Sequence, residues 1–165
     1  MIRKATMDDY GGLCALFEQV DALHREGLPQ IFRDPGDVAR SKAYIASIVE
    51  DENACLWVAE QRHKIVGLLH ISLREARDIP ILVPRRYAVV ENLAVTQAYR
   101  RRGLRSALLR AAERWALDKK AAQVELHVWE FNEGARTFYE MMGYGTASRR
   151  LWRSLSVQRD TYQGG

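Results

Sequence analysis

The sequence predicts a mixed α/β fold: a central twisted mixed sheet of about six or seven strands, flanked by about four helices. Three observations carry this expectation. Apolar residues recur at helical spacing near the start, the pattern switches to a period of two from residue 54, and the inferred element order is β-α-α-β-β-β-α-β-α-β. The 165 residues contain no repeat, low-complexity tract or linker, so residues 1–165 read as one domain.

The elements follow in order. Ile2–Ala5 is a short strand. Thr6-Met7-Asp8-Asp9 fits a helix start, with Thr6 accepting from the first turn and Asp9 favoured by the helix dipole. Leu13, Leu16, Phe17, Val20 and Leu23 then carry a helix to about Arg25. Turn formers Gly27, Pro29, Asp34, Pro35 and Gly36 make a loop. A second helix is expected over Asp37–Glu50, with Val38, Ile45, Ile48 and Val49 facing inward.

Ala54–Gln61 and Ile65–Glu75 read as strands about an Arg62-His63-Lys64 turn, the second alternating through Ile65, Gly67, Leu69, Ile71 and Leu73. Ala76–Arg86 is a loop, Tyr87–Val95 a strand and Thr96–Arg102 a basic turn. A helix over Gly103–Lys119 packs through Leu104, Ala107, Leu108, Ala111 and Trp115. Gln123–Trp129 alternates as a strand, Asn132 caps a short helix that Gly143 ends, and Ser148–Leu155 is expected to form a last strand before a loose Gly-Gly tail.

Composition narrows the function. Hydrophobic residues are 47% and charged residues 28%, a globular balance. No apolar run approaches the roughly 18 residues of a membrane span, and no apolar block follows Arg3-Lys4, so neither a membrane segment nor a secretory leader is expected. Cys14 and Cys55 make no CxxC and read as buried, reduced thiols of a cytoplasmic protein. The net charge of +4 suits an anionic ligand but does not indicate nucleic acid. No HExxH or similar constellation exists, so no metal is expected; His24, His63, His70 and His127 read as structural or surface residues.

The most informative stretch runs from Val90 to Leu109, a strand, a turn and a helix whose first turn holds Gly103. Free N–H groups and the dipole at a helix start favour anions by roughly 0.3–2 kcal/mol. Gly103 permits close approach to the backbone, and Arg100, Arg101, Arg102 and Arg105 surround it, so a pyrophosphate suits the site. The alternative reading is a solvated, arginine-rich helix start. GxxxxGK(S/T) and GxGxxG are both absent, which argues against nucleotide hydrolysis and against a dinucleotide fold.

This stretch resembles the acetyl-coenzyme A signature of the GNAT N-acetyltransferase superfamily, (Q/R)-x-x-G-x-(G/A). Arg100 and Gly103 match, while Arg105 stands where the family has Gly or Ala. That side chain would either crowd the pyrophosphate or swing outward to contact a phosphate. Downstream, Asn132-Glu133-Gly134-Ala135-Arg136-Thr137-Phe138-Tyr139, continuing to Gly143-Tyr144, is similar to the family's N-x-x-A-x-x-F-Y-x-x-x-G-F segment, with Tyr144 for Phe.

The resemblance implies a GNAT-like fold using acetyl-CoA as acyl donor. It implies that the backbone at Leu93, Ala94 and Val95 meets the pantetheine arm and acetyl carbonyl. The amides of Arg101, Arg102, Gly103, Leu104, Arg105 and Ser106 would take the pyrophosphate, Asn132 would contact the cofactor near its thiol end, and Tyr139 would sit close to the departing sulfur. An amine acceptor with a pKa near ~10.4 costs about 4–5 kcal/mol to deprotonate at pH 7. Glu91 is the candidate base, its alternative a solvent-facing or ion-paired strand carboxylate. Tyr139 is the candidate acid for the expelled thiolate, its alternative a core tyrosine beside Phe138.

No GxSxG elbow is present, so direct transfer from thioester to a primary amine is expected. The acceptor, a small-molecule amine or a protein N-terminal or lysine amine, should meet the first two helices, their loop and the Ala76–Arg86 segment, with Phe32, Trp57 and Tyr87 as candidate lining. A non-catalytic acyl-CoA-binding or regulatory module of the same fold is the alternative. No nucleic-acid or membrane partner is expected, and the apolar Ile79–Val83 run suggests a homodimer.

Overall fold

The computed structural model describes residues 1–36 and 39–155. Its five strands are β1 (Ile2–Lys4), β2 (Ala54–Gln61), β3 (Lys64–Glu75), β4 (Arg86–Val95) and β5 (Val124–Leu126). They form one sheet in the order β1-β2-β3-β4-β5, antiparallel except for the β4–β5 pair. Four helices flank it: α1 (Tyr10–Gly27), α2 (Lys42–Glu50), α3 (Leu104–Asp118) and α4 (Glu133–Met141).

β3 runs through the middle, and every residue from Val66 to Ser72 is buried. Its expected alternation is therefore a division between two covered faces, not between core and solvent. Leu68 faces a layer built by Leu13, Leu16 and Phe17 of α1, Ile45 and Ile48 of α2, and Leu56 and Val58 of β2. Leu69 and Ile71 face the other layer, with Val90, Leu108, Leu109, Trp115, Ala135 and Tyr139. Each fully buried Leu in these layers contributes roughly 1.5–3 kcal/mol. Leu23 projects away from α1 into solvent and takes no part in the core.

Several expectations are corrected. Asp37 and Val38 lie outside the described residues, and α2 begins only at Lys42, where the Ser41 hydroxyl accepts from the Tyr44 amide at 3.2 Å. Cys14 is only half-buried; it and Cys55 are free thiols. The strand expected over Gln123–Trp129 shrinks to Val124–Leu126 because β4 bends away from it. The strand expected over Ser148–Leu155 does not form, which leaves five strands among the described residues instead of six or seven. Its apolar residues Leu151, Trp152 and Leu155 do not alternate, and Leu151 and Leu155 are 90% and 83% exposed, so no face exists to dock on the sheet. The Gly-Gly tail lies outside the described residues. In the β3–β4 loop, Ile81 and Val83 are exposed.

Asp9 does more than answer a helix dipole. Only 7% exposed, it takes both guanidinium nitrogens of Arg3 at 2.8 Å and the Thr6 amide at 2.9 Å, tying β1 to the start of α1. These bonds hold its carboxyl below the usual carboxylate range, the Arg3 hydrogen bonds leading, against the opposing effect of burial. Because the folded-state value is depressed, this stabilisation is present above the unfolded carboxyl pKa near ~3.9 and is lost as pH falls through the folded value. Asp9→Asn is expected to cost about 2 kcal/mol, between exposed and buried pairs, in urea denaturation at pH 7. The difference from the parent should shrink in more acid solution.

Candidate functional site

The site begins with a misfit in the sheet. β3 and β4 pair as His70↔Asn92 and Ile71↔Val90, so Glu91 is an extra residue on β4, a β-bulge. β4 pairs with β5 only at Ala88↔Val124, Val89↔Glu125 and Val90↔Leu126. Beyond Val90 the two strands part. Asn92, Leu93, Ala94 and Val95 still pair with β3, but their other edge faces the gap.

The bulge aims Glu91 at the α1–α2 face. Its Oε1 accepts from the Ser72 hydroxyl at 2.7 Å and from Arg74 at 2.8 Å. Burial favours the neutral acid, but the hydrogen bonds from Ser72 and Arg74 outweigh it, and the carboxyl lies below its ordinary value. Glu91 is thus a held, ionised carboxylate at neutral pH. His70, on the same face, is buried with Nδ1 unpartnered, and desolvation lowers its pKa.

After β4 the chain makes a 3₁₀ turn over Gln97–Tyr99 and enters α3. Arg100 Nε donates to the Val95 carbonyl at 3.2 Å, fastening the turn to the strand end. Arg101 and Gly103 both adopt positive φ, 60° and 75°. Gly103 is the N-cap of α3 and provides no side-chain cap, so the amides of Leu104, Arg105 and Ser106 at the helix start are left for an anion. Nothing lies within 4 Å of the position a Cβ would take at Gly103. Arg101 and Arg102 are exposed beside it, and Arg102 lies over the Tyr99 ring, 5.2 Å from its centroid. An uncapped helix start, an open approach and exposed cations fit a pyrophosphate.

Arg105 turns toward α4. Its guanidinium lies over the Phe138 ring, 4.3 Å from the centroid, and beside the Tyr139 hydroxyl. Tyr139 is 9% exposed on α4, its ring in edge contact with Phe138 and Tyr144. Burial raises its phenol pKa and Arg105 partly offsets this, so Tyr139 keeps its proton at neutral pH. Tyr144 in turn donates to Glu113 at 2.8 Å. Asn132 Oδ1 accepts from the Ala135 amide at 3.1 Å, capping α4.

Glu91 and Tyr139 therefore lie on opposite faces of the sheet, on either side of the gap. Phe32 joins the Glu91 side through an edge contact with Trp129, with ring centroids 5.7 Å apart. Trp57 does not; it packs against the α3–α4 layer because it is paired with Leu69 in the register. Tyr87, paired with Arg74, is stacked under Arg85 at 4.5 Å. The Glu91 bulge, the Arg105 contact and the aromatic rings around Phe32 all depend on partners distant in sequence. Among the described residues, no group of three or more His, Cys, Asp or Glu is placed to hold a metal, and no helix is long and apolar enough to cross a membrane.

Comparison with known proteins identifies the family and the fold. The profile of the Acetyltransferase (GNAT) family matches residues 17–144. Mouse N-acetyltransferase 8B is 30% identical over 115 residues, which cover 67% of this chain and 48% of that protein. The chain spans about half the length of the first curated relatives it matches. Among solved structures, a tetramutant of the BH1408 protein from Bacillus halodurans is 25% identical with a TM-score of 0.88, covering 94% of this chain and 99% of that one. The aminoglycoside N-acetyltransferase AAC(6')-Iy in complex with CoA shares the fold, with a TM-score of 0.72 at 15% identity, over 95% of this chain and 100% of that one.

Two substitutions test the local physics. Gly103→Ala is expected to destabilise the chain by about 1 kcal/mol in urea denaturation, because the cost lies in positive φ and not in space. Arg105→Ala removes the cation beside Tyr139, so the phenol should ionise at still higher pH. Ultraviolet difference titration against Tyr139→Phe would report the change.

Proposed function

The chain belongs to the Acetyltransferase (GNAT) family, and from that premise we propose that it transfers an acetyl group from acetyl-CoA directly to a primary amine. The observation that carries this reading is the uncapped start of α3, set by Arg101 and Gly103 at the end of a strand that has parted from its neighbour. The solved complex of AAC(6')-Iy with CoA, which shares the fold, supports it.

The amides of Arg101, Arg102, Gly103, Leu104, Arg105 and Ser106 bind the pyrophosphate, with the exposed side chains of Arg101 and Arg102 adding charge. Arg100 holds the turn in place through Val95. The free edge at Leu93, Ala94 and Val95 takes the pantetheine arm and orients the acetyl carbonyl. Asn132 sets the start of α4, and with it the position of Tyr139 near the thiol end. When bound, acetyl-CoA supplies a thioester carbon open to attack by an amine, with a thiolate as leaving group.

Glu91, held by Ser72 and Arg74, accepts the proton of the acceptor ammonium, directly or through water. Because Arg74 stabilises its charged form, Glu91 passes the proton on to solvent. Tyr139 approaches from the opposite face with its proton retained and donates to the departing sulfur. The gap between β4 and β5 lets the two groups serve one reacting centre.

Calorimetric titration with acetyl-CoA, CoA and ATP, together with thiol-release kinetics, tests the reading. Acetyl-CoA and CoA should bind and ATP only weakly. Tyr139→Phe should lower kcat about 100-fold, and Glu91→Gln at least about tenfold, with cofactor affinity nearly unchanged. Since the Glu91 carboxyl lies below its ordinary value, its protonation should not limit the rate between about pH 5 and 7. Since the Tyr139 phenol is raised, the alkaline loss of kcat should come above the ordinary phenol value near ~10. Failure to bind CoA would overturn the proposal. Cofactor binding with no turnover would mark a non-catalytic acyl-CoA-binding module.

A further inference from the structure

Five aromatic rings meet on the Glu91 side of the sheet without belonging to either core layer. His24, near the end of α1, stacks on Phe32 of the following loop at 5.0 Å. Phe32 meets Trp129 edge-on at 5.7 Å, and Trp129 meets His127 at 4.9 Å. Phe131 contacts His24 at 6.3 Å and lies so close to Gly27 that a Cβ there would fall 2.4 Å from its ring. Three separate segments thus converge, and His127 follows directly after Leu126, the last β5 residue paired with β4. His24, Phe32, Trp129 and Phe131 are half-buried and His127 is exposed, so the cluster is a surface and not interior packing.

Its electrostatics are equally specific. The carboxylates of β4, of β5 and of its exit are each held by an arginine: Glu91 by Arg74 at 2.8 Å, Glu125 by Arg85 at 2.9 Å and Glu130 by Arg136 at 2.9 Å. Burial and the nearby His127 keep the His24 imidazole neutral. A polycation needs several uncompensated carboxylates, and those three are already matched. A flat apolar body gains from aromatic contact with Trp129 and Phe32. One ammonium suits the remaining polar features, since aromatic faces and a neutral imidazole accept a single cation.

We infer that this cluster is the acceptor wall and that the acceptor is a primary monoamine carried on an aromatic body. The inference rests on the acetyl-transfer reading and names its substrate class. The ring of the acceptor lies against Trp129 and Phe32, and its amine reaches back past His127 toward Glu91 and the gap. The aminoglycoside acceptor named for AAC(6')-Iy is a different, polycationic class.

Calorimetric titration of the full chain with phenethylamine and with spermine, without cofactor, tests the wall independently of turnover. Phenethylamine should bind about tenfold more tightly than spermine. Trp129→Ala and Phe32→Ala should each weaken it by about tenfold, with Trp129→Phe retaining affinity. In thiol-release assays the alanine variants should raise KM for phenethylamine and leave the acetyl-CoA affinity alone. Spermine binding as tightly as phenethylamine, or Trp129→Ala with unchanged phenethylamine affinity, overturns the inference. Loss of CoA binding in the parent chain would instead overturn the acetyl-transfer reading, since the amine titration does not depend on it.

Discussion

Neighbouring strands stay paired only while their residues keep step, and β4 loses step with the antiparallel β3 at Glu91. One additional residue there leaves Asn92 opposite His70 while Val90 remains opposite Ile71. A bulge of this kind bends and twists its strand, and pairing with β5 ends at Val90 and Leu126. The gap, the free backbone edge of residues 93–95 and the exposure of His127 all follow from that one insertion. So does the aim of Glu91, which points to the α1–α2 face, where Ser72 and Arg74 receive it.

The two core layers make this local disruption tolerable. β3 is buried on both faces, and its long register with β2 and β4 holds the sheet together when one edge opens. The ionic and aromatic contacts then divide the work between the faces. On the α3–α4 side, Arg105 over Phe138 and beside Tyr139 occupies a position where the signature has Gly or Ala. On the α1–α2 side, the Arg40 guanidinium binds Asp21 and lies over Phe17, while Tyr10 donates to the Arg40 carbonyl at 2.9 Å. These contacts fasten the end of the α1–α2 connection back onto α1, the helix whose last turns hold His24 and Gly27.

Arginine has three physical roles in the same small region. Arg100 acts as a hydrogen-bond donor that closes a turn, Arg74 as a charge partner that lowers a carboxyl pKa, and Arg105 as a planar cation on an aromatic face. A count of basic residues around Gly103 treats these as equivalent. Their geometry separates them, and Arg101 and Arg102 lie exposed beside the helix start.

Much of the architecture was legible in the chain, because it depends on neighbours close in sequence. The period-two stretch gave β2 at its observed bounds and β3 and β4 within a residue, and the apolar spacing of α1 and α3 placed both helices. Asn132 as a cap and Gly143 with φ of 90° as a stop follow from the same local chemistry. The strand expected over Ser148–Leu155 failed because its few apolar residues do not alternate and offer no face to bury, and β5 was cut short by a bulge on another strand. Tertiary structure alone decided that Glu91 is paired, that Arg105 turns toward Tyr139, that Asp9 binds Arg3, and that five rings from three segments share one wall. Each of these contacts joins residues whose separation along the chain carries no periodic signal, so only the folded sheet brings them within reach.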